Sequence, residues 1–107
     1  MSVPYTEFQK LSIRVGKIAA ANKIPGKDKI ITVDVDIGGK TLRAIAGGAQ
    51  FYTPEGMVGK TVVVITNLES RVIAGVKSEA MLLAADAGGK PIWLTVEEDV
   101  PAGTIVR

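Results

Sequence analysis

The stretch that decides the fold is Leu11-Ser12-Ile13-Arg14-Val15-Gly16-Lys17-Ile18. Leu11, Ile13 and Val15 share one parity while Ser12 and Arg14 take the other, the two-residue period of a half-buried strand. The period breaks at Gly16, because the next apolar residue, Ile18, falls on the opposite parity. A glycine at such a slip predicts a β-bulge, which bends and coils the strand that carries it. Small barrels need such a bend to close.

On the N-terminal side, Thr6-Glu7-Phe8-Gln9 has the form of a capping box. It predicts one helical turn with Thr6 as N-cap, turning Phe8 and Leu11 inward. On the C-terminal side, Ile31, Val33, Val35 and Ile37 alternate with Thr32, Asp34 and Asp36, the cleanest half-buried strand in the chain. Gly38-Gly39 then reads as a tight hairpin turn into a strand near Thr41–Ala46, and Asp86-Ala87-Gly88-Gly89-Lys90 repeats the device. Neither glycine pair leads from a strand into a helix, as a phosphate-cradling loop requires. Thr53-Pro54-Glu55 supplies an N-cap, a proline at the first helical position and an early acid, and Gly59 closes a short helix. Val62-Val63-Val64-Ile65 is β-branched enough to be a core strand within Thr61–Thr66. Residues 67–77 read as a loop, Met81–Ala85 and Pro91–Val96 as short strands, and Thr104–Val106 as a last edge strand. Val100-Pro101-Ala102-Gly103 reads as a type I turn.

Five main strands, a helix between the third and fourth, and a coiled first strand predict an all-β, five-stranded OB-type barrel with flanking terminal segments. An SH3-like barrel shares many of these cues. The 107 residues suit one domain, with no internal repeat, linker or low-complexity segment to mark a second.

Composition narrows the chemistry. The chain has no His and no Cys, so the commonest metal ligands, general bases and activated nucleophiles are missing. No pair of carboxylates, lysines or tyrosines stands out to replace them. The reading is a binding protein without cofactor or metal, not an enzyme. No apolar run approaches the roughly 20 residues that span a bilayer. The opening Met1-Ser2-Val3-Pro4-Tyr5-Thr6-Glu7 does not read as a secretion signal, and with no cysteine in the chain a reducing cytoplasm is the expected location.

Charge is unevenly placed. Residues 1–54 hold eight Lys/Arg against four Asp/Glu, whereas residues 55–107 hold five against seven. Arg14, Lys17, Lys23, Lys27 and Lys29 cluster with only Asp28 to oppose them, a footprint that suits a phosphate backbone. None of the aromatics (Tyr5, Phe8, Phe51, Tyr52, Trp93) lies in the two loops that OB barrels usually turn toward ligands. General single-strand binders stack bases on aromatic platforms, so a folded RNA recognised by charge and shape fits better. Trp93 and Phe51 read as core or dimer-interface residues.

Leu11-Ser12-Ile13-Arg14-Val15-Gly16-Lys17-Ile18 also resembles the opening strand of the tRNA-binding domains of methionyl-tRNA synthetases. Further matches follow in order: Pro25 with Asp28-Lys29, Pro54-Glu55 with Val58-Gly59-Lys60, and Val63-Val64 with Asn67-Leu68. Ala74-Gly75-Val76-Lys77-Ser78-Glu79, Met81-Leu82-Leu83-Ala84-Ala85 and Val100-Pro101 with Gly103-Thr104 complete the series. The resemblance runs from about Phe8 to Arg107. It implies an OB-fold homodimer that binds the outside corner of tRNA, free-standing or beside a synthetase catalytic subunit. It also implies tRNA-binding roles for Lys29, Ser78 and Met81.

Two departures are evident. The family's usual His before the proline is Ile24 here, and its usual Gly before the methionine is Ala80. Ser78-Glu79 is similar to a related branch of secretion-chaperone-like proteins, which implies peptide binding on the same scaffold as an alternative.

The chemistry of the candidates is compatible with RNA. The Lys29 ammonium suits a phosphate, the Ser78 hydroxyl a phosphate or ribose, and the Met81 thioether a base. Asn67 and Arg71, in the loop after the fourth strand, offer an amide for a base edge and a guanidinium for stacking or phosphate. Arg14, Lys17, Lys23 and Lys27 extend the basic surface. Met81 could equally be core, and Asn67 could equally hold its own turn.

Overall fold

A computed structural model describes residues 1–107. Ten strands and two short helices follow one another: α1 (Tyr5–Phe8), β1 (Ile13–Lys23), β2 (Ile30–Asp36), β3 (Thr41–Gly47), α2 (Pro54–Met57) and β4 (Thr61–Ile65) come first. Then come β5 (Arg71–Ile73), β6 (Val76–Ser78), β7 (Met81–Leu82), β8 (Ala84–Ala87), β9 (Lys90–Trp93) and β10 (Ile105–Val106).

The main sheet runs β3-β2-β1-β4-β7, all antiparallel, with β10 added beside the start of β1. Its edges meet where Ala44 and Ala80 form a parallel bridge and the Glu79 N–H donates to the Arg43 carbonyl at 2.8 Å. That closure makes a five-stranded OB-type barrel. Ala80 is buried at the seam, where only a small side chain lets the two backbones approach.

The first strand departs from its sequence reading in an instructive way. No bulge occurs at Gly16, which pairs in register with Val62 while Val15 pairs with Val63. Directly opposed residues share a face, so Ile13 and Val15 face outward with Val63 and Ile65, and Gly16 faces inward with Val62 and Val64. Ile13, Val63 and Ile65 form a small outer cluster beneath Leu83 and Val106. Ile18 belongs instead to the main core. The apolar parity switches because β1 is covered on its outer face early and its inner face later. The register shift lies between Ile18 and Ala20, where β1 has passed from β4 to β2. Gly16 is needed for space: a Cβ there would collide with Val35 Cγ1.

Main-core packing follows the alternation of β2, with Val33 and Val35 fully buried. The Gly38-Gly39 turn takes positive φ at both residues (75° and 84°), as a type I′ hairpin requires. Gly88-Gly89 does the same at 64° and 94°. Helix α2 begins as expected, with the Gly56 N–H donating to Thr53 Oγ1 at 3.0 Å, and it plugs the core with fully buried Met57.

Several boundaries move. Helix α1 starts two residues earlier than a Thr6 cap would place it, Pro4 is its N-cap, and no side chain caps it. Phe8 and Leu11 stay substantially exposed, since α1 packs no residue into the core. The apolar run after Ala80 splits into β7 and β8, and β9 ends at Trp93. The C-terminal turn is shifted: Thr104 N–H donates to the Pro101 carbonyl (3.2 Å), which puts Gly103 third, at φ 93°. Positive φ at the third position is the type II pattern.

The largest difference is in the stretch read as a loop, residues 67–77, where β5 and β6 pair as a hairpin that ends at Ser78. Its turn is Ala74-Gly75, with Ala74 at φ 51°. An alanine in the left-handed region is uncommon, so local sequence preference hides this turn.

Candidate nucleic-acid interface

The β5–β6 hairpin leans on β3 and builds a groove of about 470 Å³ against it. Arg71, Ser78 and Met81 line it together with Ile45, Leu68 and Ile73. Three of the residues singled out in sequence are thus brought to one place. Ser78 anchors the hairpin: the Ile45 N–H donates to its Oγ (3.3 Å), and the hydroxyl donates to the Ala80 carbonyl (3.3 Å). Glu79 adds a second tie, accepting from the Arg43 N–H at 3.2 Å. Met81 opens β7 opposite Ile65 and leaves 44% of its surface exposed, so it is available rather than core.

Lys29 is exposed just before β2. Ile30 pairs with Gly47, and Thr32 pairs with Ile45 of the groove. At about 3.3 Å per strand residue, Lys29 lies roughly 10 Å along β2 from the level of Ile45. Lys27 shares its loop and is exposed. None of Lys23, Lys27, Lys29, Arg71 or Lys77 has a carboxylate oxygen within 4.0 Å. Ile24, where the family usually carries His, is buried and contributes an apolar side chain instead.

The remaining three candidates lie elsewhere, engaged in internal contacts. Arg14 Nη1 donates to the Gly103 carbonyl at 2.9 Å, and its Nε to Ser12 Oγ at 3.3 Å. Lys17 pairs with Asp99 at 3.0 Å, an exposed ion pair of small energetic weight. Asn67 accepts from the Ser12 N–H and donates to the Lys10 carbonyl, both at 2.7 Å. Its amide fastens the entry to β1 rather than its own turn. Asn67→Ala is therefore expected to cost about 1–2 kcal/mol through two lost hydrogen bonds. Circular dichroism should show the melting point falling by about 5–10 °C. An unchanged melting point would mean that water replaces the amide at no cost.

On the outer face of β2 and β3, Arg43 donates to Asp34 through Nε at 2.9 Å. That hydrogen bond, and then the Coulomb attraction of the same carboxylate, raises the guanidinium pKa above its ordinary value. Arg43 is thereby a neutralised cation, unlike Arg71.

Ile45, Leu68 and Ile73 were missed as groove residues. Ile45 carried a signal: it shares the outward parity of Thr41 and Arg43, where an apolar residue is out of place. Ile73 depended on a hairpin that sequence did not reveal. No helix is long and apolar enough to cross a membrane. No group of three or more Asp or Glu side chains gathers as a metal site.

Comparisons with known proteins agree with the barrel. The family model described as "Putative tRNA binding domain" matches residues 13–105. A methionine–tRNA ligase of Methanothrix thermoacetophila is 45% identical over 105 residues, which cover 98% of this chain and 16% of that protein. Its counterpart in Pyrococcus furiosus is 40% identical over 98% of this chain and 14% of its own length. The chain thus spans about a sixth of these relatives. Among solved structures, a MetRS-related protein from Pyrococcus horikoshii has a TM-score of 0.92 at 32% identity, covering 100% of this chain and 99% of that one. The chaperone CsaA from Bacillus anthracis has a TM-score of 0.90 at 25% identity, with 100% of both chains covered. With its OB-type barrel and a match over residues 13–105, this chain belongs to the tRNA-binding domain family.

Proposed function

We propose that this chain is a cytoplasmic, non-catalytic domain that binds tRNA by its shape, as a homodimer. It would act either alone or beside the catalytic subunit of a methionyl-tRNA synthetase. The observation that carries this reading is the meeting of Arg71, Ser78 and Met81 in one groove, on a barrel whose Lys27 and Lys29 are unpaired. The cations would fix phosphates, and the groove would receive a sugar or base edge. Exposed Tyr5, Phe8, Leu11 and Ile105 near the two termini supply apolar surface for a second copy.

Filter binding of tRNA across a salt series tests the reading. Affinity should fall steeply with salt, with a log–log slope of about −0.9 per neutralised phosphate. Ser78→Ala should weaken binding by about five- to tenfold, because it loosens the hairpin by about one hydrogen bond and removes the hydroxyl. Salt-independent binding, or none at low salt, would sink the proposal.

A second reading has its own support. Ile45, Leu68, Ile73 and Met81 make the groove largely apolar, and the chain matches CsaA over its full length. Chaperone-like binding of an unfolded client in the groove would suppress client aggregation without competition from tRNA.

A further inference from the structure

Three of the chain's five aromatic rings converge outside the groove, on the turn after β3 and on β9. The Phe51 and Tyr52 N–H groups both donate to the Gly48 carbonyl, at 2.8 and 3.0 Å. Tyr52 is fixed further by donating its hydroxyl to the Pro91 carbonyl at 2.8 Å. Its ring lies 5.9 Å from that of Trp93, tilted by 46°. Phe51 remains 50% exposed.

Two lysines lie over faces of these rings. Lys60 Nζ stands 5.0 Å from the Tyr52 centroid, while Lys90 Nζ is nearly equidistant from Phe51 (5.7 Å) and Tyr52 (5.8 Å). Neither ammonium has a carboxylate oxygen within 4.0 Å. The nearby Asp86 carboxylate accepts from the Gly89 N–H at 2.8 Å and so serves its own turn. The turn that carries these rings is tied to the Lys29 loop, since the Ala49 N–H donates to the Lys29 carbonyl at 3.2 Å.

We infer that Phe51, Tyr52, Lys60 and Lys90 form a platform for unpaired RNA nucleotides, distinct from the groove at Ser78. An exposed ring held by a rigid turn offers a stacking face to any base. Two ammonium groups without a carboxylate partner, Lys90 over Phe51 and Tyr52 and Lys60 over Tyr52, supply charge for the phosphates of nucleotides held there. Apolar protein surface would leave both charges unanswered. The inference goes beyond the proposed tRNA contact at the groove and stands without it.

The test uses a labelled single-stranded uridine hexamer, read by fluorescence anisotropy and by the emission of Trp93, the chain's one tryptophan. The hexamer should bind at low salt and change that emission. Phe51→Ala and Phe51→Leu should each weaken binding about tenfold, because both remove the stacking ring. Lys60→Gln with Lys90→Gln should flatten the log–log salt slope by about 1.4, the share of two phosphates on a single strand. Should the Phe51 variants fail to fold, the lysine pair carries the test alone. Absence of hexamer binding, or binding that ignores both sets of changes, overturns the inference. So does a loss of dimer in sedimentation of Phe51→Leu, which would assign the face to a second copy. A protein that binds tRNA but not the hexamer removes this inference alone. One that binds the hexamer but not tRNA removes the groove reading alone.

Discussion

Gly16→Val is expected to unfold this chain at temperatures where the parent protein is native. Gly16 faces the barrel interior beside Val62, and even a Cβ there collides with Val35 Cγ1 and comes within 3.3 Å of the Asp36 carbonyl oxygen. Val35 is fully buried, and its backbone is locked in the β1–β2 ladder, so neither neighbour has room to retreat. Overpacking typically costs 1–3 kcal/mol, and valine adds two methyl groups beyond the Cβ, so the loss should be about 3 kcal/mol or more. That is a large part of the roughly 5–15 kcal/mol that holds a domain together. Thermal melting should shift down by about 15 °C. A variant melting within a few degrees of the parent would contradict the packing. The companion measurement is a cycle with Gly16→Ala and Val35→Ala. Trimming the valine should restore much of what the glycine change removes, with a coupling of about 1–3 kcal/mol.

The second large effect concerns charge. Lys29→Glu combined with Arg71→Glu should reduce tRNA affinity about a hundredfold at low salt, since two phosphate contacts become repulsions. Both side chains are exposed and unpaired, so their reversal breaks no internal contact. Melting should therefore be unchanged. The same reversal should flatten the log–log salt slope by about 1.8, which loss of shape alone would not do. Unchanged affinity would remove both residues from the interface.

Much of the barrel was legible because its signals are local. The strict alternation of β2, the Gly38-Gly39 turn and the Thr53-Pro54 helix start each follow from a few adjacent residues. The first strand was legible as a strand but misleading in detail. Its parity break reflects which face is covered along its length, a tertiary fact, and the actual register shift sits near Ala19, where no glycine marks it. The β5–β6 hairpin escaped for two reasons. Its strands have three residues each, and its turn begins on an alanine at positive φ.

The site divides along the same line. Arg71, Ser78 and Met81 could be named from resemblance and loop position, and the structure brings them to one groove. Nothing local announces that the amide of Asn67 reaches back to Lys10 and Ser12, or that Arg14 holds the Gly103 turn. Those contacts join residues more than 50 positions apart. A polar residue in a ligand-type loop can be a structural tie, and only the long-range fold distinguishes the two.

The pairing of β10 with β1 has a consequence for rewiring the chain. Val106 is the partner of Ile13, and antiparallel partners have Cα atoms only about 4.5–5.5 Å apart. A short linker between these ends would permit a circular permutant reopened at Gly88-Gly89, an exposed turn outside the barrel ladder. Such a permutant would keep every strand pairing while moving both termini to the β8–β9 tip, beside the Lys90 platform. A cargo fused there would project from the proposed single-strand RNA contact instead of from the apolar terminal face.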